Sequence, residues 1–328
     1  MRSPRRGACV LIDCMSLRLS RKSVLPAAAL LLLSLLWAAG SLRADLLSDS
    51  GRPALSPLES SVISLAMLAV LSALIALLGR APWPRKDQLL SALWVALGLF
   101  VAPAWLAHLA QDSVPGLTRV VYFSLVPVFA VVLEPHVDPD APPVSFGLAA
   151  SLAAALGTLL VFPFDLPGSF TAAAAQCALL LAAIVIAASN CLAVRAMRAL
   201  PAGSLSSFAA LVSGIAAATL LFSSLFVRPS GFGMPAQASA LLWPLLVNLP
   251  ALALLFWLFK HMSAARMATR FLFAPLMATL IAAFVLAPRI TLRDASGLLL
   301  LAGVAAWLLL ASNGSASADG SPFRLRHD

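Results

Sequence analysis

The chain has 328 residues, of which 61% are hydrophobic and only 11% charged. A soluble domain carries about 25% charged residues and could not cover its surface with so few, so soluble globular and disordered classes are excluded. The apolar runs are continuous and do not alternate, which also excludes an outer-membrane barrel. The net charge of +9 then bears on membrane orientation, and nucleic acid is not an expected partner.

Residues 1–23 form a basic tail, with Arg18, Arg21 and Lys22 just ahead of the first apolar run. That run, from Val24 to Leu42, is long enough to span a bilayer, and we read it as a first transmembrane helix rather than a signal peptide. Met1 and Met15 both remain open as the start of the chain. Further apolar segments are predicted at about 58–79, 88–110, 117–134, 144–164, 170–194, 205–227, 236–259, 267–287 and 295–311. Helix breakers such as Pro82-Trp83-Pro84 and Asp138-Pro139-Asp140 mark exits between them. The polar stretch 312–328 is a second tail. Cys177 and Cys191 fall about 21 Å apart on one predicted helix and cannot bond to each other there.

The expected fold is an all-α polytopic membrane protein of ten transmembrane helices. Ten spans put both termini on one side. With that side cytoplasmic, sixteen of the 22 Lys and Arg residues, Arg270 among them, fall inside and six outside. The bias implies an inner (plasma) membrane protein with both termini cytoplasmic.

The two halves, 24–164 and 165–311, look alike. A shift of 148 residues places Pro127 on Pro275 and Gly116 on Ala264, so that Leu117–Leu133 overlays Ala265–Ile281, each an apolar helix with a central proline. Five spans per half is an odd number, so the second half is expected to be inverted. Inverted repeats characterise secondary transporters, whose solute site lies near mid-bilayer between the halves.

At this point the residues resemble a known family. The stretches Leu106–Val132 and Leu254–Phe284, the ending from Pro288 to Leu310, and the opening helix around Trp37 are similar to EamA-type members of the drug/metabolite transporter superfamily. Pro288, Ala39 and Ser60-Ser61 stand where that family usually has Glu, Gly and an Arg. The resemblance implies two five-helix repeats and export of a small metabolite or amphipathic compound by alternating access.

Ionisable groups inside a bilayer are costly and usually functional. None of the 13 carboxylates falls near a predicted span centre, and Glu134 sits at a helix end. No array for catalysis, metal binding or a cofactor is expected. The central polar side chains of the spans are Asn248 and Ser124, with Gln176 and Asn190 off-centre. Asn248, Ser124 and Tyr122 are the first candidates for solute contacts, with Gln176, and Trp94 as a cavity wall. Interhelical hydrogen bonding is the alternative role for the amides. Pro127 and Pro275 are candidate hinges, because each removes a backbone donor at a matching place. Pro103 and Pro250 carry no expected role, and Trp37 is expected to anchor at an interface.

The expected partners are the lipid bilayer, a small-molecule solute and a second copy in a homodimer. Two other classes stand behind transport. A membrane-embedded transferase would draw on the acidic stretch Glu134–Asp140. A non-transporting scaffold or sensor would need a partner surface.

Overall fold

The computed structural model describes residues 21–49, 57–110, 112–138, 144–162, 164, 166–201, 203–227, 239–286 and 291–311. Among these residues the regular structure is helical throughout, with no strand. The first half runs α1 (Arg21–Asp49), α2 (Pro57–Leu78), α3 (Lys86–Ala96), α4 (Ala102–Ala110), α5 (Gly116–Phe123), α6 (Val126–Val137) and α7 (Val144–Val161). The second runs α8 (Phe170–Arg198), α9 (Leu205–Val227), α10 (Ser239–Trp243), α11 (Leu249–His261), α12 (Ala264–Ala268), α13 (Arg270–Leu286) and α14 (Leu292–Ala311). Among the described residues eight helical stretches are long and apolar enough to cross a membrane, so the chain is a helical membrane protein. Val24–Gly40 and Gly147–Val161 are shorter apolar helices. Of the predicted N-terminal tail, 1–23, residues 1–20 lie outside the described residues and 21–23 belong to the start of α1, and the predicted tail 312–328 lies outside the described residues.

Two π-helical segments interrupt the ladder. Leu97–Val101 joins α3 to α4, and Pro244–Asn248 joins α10 to α11. In each, the next backbone N–H reaches five residues back, from Ala102 to Leu97 and from Leu249 to Pro244. A proline stands two residues past the end of each, Pro103 or Pro250. A proline ring clashes with the carbonyl four residues earlier and donates nothing to it. Widening the helix by one residue just before it relieves that clash, and π-bulges of this kind are frequent at functional sites. Pro103 and Pro250 therefore have a structural role that the sequence reading did not give them.

The candidate hinge prolines behave differently from each other. The break between α5 and α6 falls at Ser124-Leu125, just ahead of Pro127. Pro275 lies inside a continuous α13, and the break before that helix falls at Thr269.

The starts of α2 and α9, of α5 and α12, and of α7 and α14 each lie 148 residues apart, and the two π segments 147 apart. The packing pairs the same elements: α2 lies along α9 and α7 along α14, while α1 meets α13 and α6 meets α8. The α7–α14 pair is close because glycines face it. A Cβ on Gly297 would stand 2.7 Å from Val161 Cγ2 and 3.0 Å from the Gly157 carbonyl oxygen. Small residues let membrane helices approach in this way, where apolar surface alone gives no drive to associate.

Candidate functional site

The helices line a half-open cavity of about 330 Å³. Its wall draws on both halves. Leu99, at the π segment, then Pro103, Ala104 and Phe123 come from the first. Leu220, Leu252, Leu255 and Phe271 come from the second. Two of these contacts are pairs of residues 148 apart. Ala104 and Leu252 both line the cavity, and Phe123 and Phe271 line it while stacking on each other at 6.3 Å with a 24° tilt. A residue that touches its own counterpart marks the seam between the two halves.

The charged group in this wall is Arg270, at the first position of α13. The sequence reading counted it among cytoplasmic basic residues; the structure buries it, at 1% exposure, within the bundle. Its Nη2 donates to Asn190 Oδ1 at 2.9 Å and its Nη1 to the Met267 carbonyl at 3.0 Å. Three aromatic rings surround the guanidinium, with centroids 4.7 Å (Phe271), 5.3 Å (Trp37) and 5.7 Å (Phe259) from its central carbon. Each desolvated cation–π contact is worth up to about 2 kcal/mol, against a burial penalty of several kcal/mol for the ion. Among the described residues no carboxylate pairs with Arg270 and its Nε has no hydrogen-bond partner. The same holds for Nδ2 of Asn190, which is fully buried. Two hydrogen-bonded side chains beside one cavity thus each keep a buried donor unused.

Trp37, expected at an interface, instead forms cavity wall and covers Arg270. The remaining candidates fall elsewhere. Asn248 donates through Nδ2 to Ser60 Oγ at 3.1 Å and Ser64 Oγ at 3.2 Å, tying its π segment to α2. Ser124 is fully buried and donates to the Val121 carbonyl at the α5–α6 break. Tyr122 and the buried Gln176 lie outside the cavity wall. Tyr122 packs in a side cluster with Ala110, Val114, Ala175 and Leu179. Trp94 is 55% exposed on the outer surface of α3. Of the polar and aromatic candidates, none lines the cavity; Asn190, counted as a helix contact, holds its charged group.

One end of the bundle is fastened by charge. Glu134, near the end of α6, is 4% exposed, and its two carboxylate oxygens accept from the backbone N–H groups of Ala264 (2.8 Å) and Ala265 (3.1 Å). The first N–H groups of a helix lack internal partners, and a carboxylate there satisfies them and meets the positive end of the dipole. Four residues on, Asp138 pairs with Arg198 at the end of α8, and Arg195 donates to the Val137 carbonyl at 3.4 Å.

No family model and no curated protein matches the chain. Seventeen chains of solved structures match it. One, described as "Crystal structure of protein", is 15% identical, covers 87% of this chain and 98% of its own, and has a TM-score of 0.67. At that identity the likeness is one of fold.

Proposed function

We propose that the chain is a secondary transporter with ten membrane-spanning helices, arranged as two inverted five-helix repeats that rock about a solute site between them. Val24–Gly40 and Gly147–Val161 are the two spans added to the eight longer ones. The reading is supported most by the cavity itself, whose wall is shared between 148-related residues of the two halves, Ala104 with Leu252 and Phe123 with Phe271. A seam that carries a cavity between like elements is where alternating-access carriers hold solute. The π segments beside Pro103 and Pro250 give each half a weakened helix next to that space. The sequence resemblance to EamA-type transporters points the same way and adds export as the direction, across the inner membrane with both termini cytoplasmic. Of the acid groups a transferase would draw on, Glu134 and Asp138 are engaged by backbone N–H groups and by Arg198, and Asp140 lies outside the described residues.

The test compares the metabolites of cells and medium by mass spectrometry for overexpression, deletion and the cavity-filling variants Ala104→Trp and Leu252→Trp. One compound class should reach the medium only with the unmodified chain. Identical profiles in all four strains would contradict transport.

A further inference from the structure

We infer that the cavity binds an amphipathic organic anion, an aryl or branched aliphatic carboxylate without an amine, with Arg270 as the residue that holds its head group. This rests on the transport reading for its purpose and on the geometry of the cavity for its chemistry.

Arg270 carries a permanent charge, because a guanidinium does not deprotonate in proteins. It is buried in the cavity wall, and its recorded partners are a carbonyl, an amide oxygen and three rings. None of these carries the opposite charge. Where a buried ion is needed only for packing, a carboxylate partner or an apolar side chain serves better. Arg270 Nε and Asn190 Nδ2 are the buried donors left without acceptors among the described residues of this site. A carboxylate supplies both the missing charge and the missing acceptors. The edge of a guanidinium formed by Nε and one Nη takes it through two parallel bonds.

The rest of the wall defines the body of the ligand. Phe100, Phe123 and Phe271 offer aromatic faces, and Leu65, Leu99 and Leu220 offer aliphatic ones. About 330 Å³ suits a small molecule of this kind. Among the described residues lining the cavity there is no Asp or Glu. An amino acid would therefore leave its ammonium unpaired in an apolar space, and a cation would face Arg270 directly. The cavity discriminates by charge against both.

The test uses the purified full chain in lipid nanodiscs and four probes of similar size: phenylacetate, 2-phenylethanol, phenylalanine and 2-phenylethylamine, with phenyl phosphate as a second anion. Binding is measured by equilibrium dialysis. The wild type should bind phenylacetate about tenfold or more tighter than the neutral, zwitterionic and cationic probes. Phenyl phosphate binding tighter than phenylacetate would overturn the carboxylate assignment. Arg270→Met should lose that preference while binding 2-phenylethanol as the wild type does, and Arg270→Lys should keep part of it. Size-exclusion elution and helical circular dichroism check that each variant is folded; if Arg270→Met is not, Arg270→Lys and Asn190→Ala, expected to weaken phenylacetate alone, decide. Equal affinity of the wild type for phenylacetate and 2-phenylethanol would overturn the inference, as would no binding of any probe, or an unchanged phenylacetate affinity in the folded variants. Anion-selective binding without flux of phenylacetate into proteoliposomes would leave the binding site standing and remove the transport reading.

Discussion

Two buried charges on either side of one helix break have opposite surroundings. Glu134 is closed off by the protein itself: both of its oxygens accept N–H bonds from the start of α12, across the seam between α6 and α12. Arg270, six residues or about 9 Å of helix rise beyond Ala264, has no opposite charge among its recorded partners and an unused donor at Nε. The first arrangement is complete without a ligand. The second is not. A buried charge that the fold satisfies reads as structure, and one that the fold leaves unsatisfied beside a cavity reads as a place for something else. Stability and function should therefore separate at these two residues.

The largest effect tests that separation. Glu134→Ala removes two charge-assisted bonds and leaves buried N–H groups without acceptors. Its expected cost is about 3 kcal/mol, read by urea unfolding in mixed micelles. Arg270→Met should cost less, about 1 kcal/mol, because ending the desolvation penalty of an ion without a counter-charge offsets the lost ring contacts and the Asn190 Oδ1 left without its donor. Equal losses at the two positions would erase the contrast.

Gly98 lies in the first π segment, and a Cβ there would run into Ser189 Oγ of α8. Gly98→Ala should cost about 1–3 kcal/mol by overpacking. Ser189→Ala in the same chain should recover most of it, since the next contact is 3.3 Å, to Ser189 Cβ. Thermal unfolding of the single and double variants checks this, and no recovery would mean that the π segment itself was disturbed. At the small end, Asn248→Ala should cost about 0.6 kcal/mol, the mean for an interhelical hydrogen bond in a membrane protein. It should leave the solute profile of the medium unchanged, because the amide is spent on Ser60 and Ser64. A lost export signature would restore Asn248 as a solute contact.

The helical membrane class and the eight long apolar helices were legible in the sequence, because continuous apolar runs and Pro/Gly exits report directly on the bilayer. The sequence paired Pro127 with Pro275, but in the structure it is Pro103 and Pro250 that share a feature, a π segment just ahead of each. Two prolines 147 apart were there to be seen. The site was less legible. Arg270 was not legible as a site residue, since an arginine three residues inside a predicted span looks like a loop residue obeying the orientation rule. Its burial depends on Trp37, Phe259 and Phe271 closing over it, contacts between α1, α11 and α13 that no local pattern encodes. Asn248 stood out because of its depth, yet depth does not distinguish a side chain facing a cavity from one facing Ser60 and Ser64.

The account turns on the cavity opening in turn to the two sides of the membrane. The direct measurement replaces the four native cysteines, places Leu252→Cys in the cavity wall, and reacts right-side-out and inside-out vesicles with a membrane-impermeant maleimide. Alternating access predicts labelling of position 252 from both faces. Labelling from one face alone, or from neither, would contradict it.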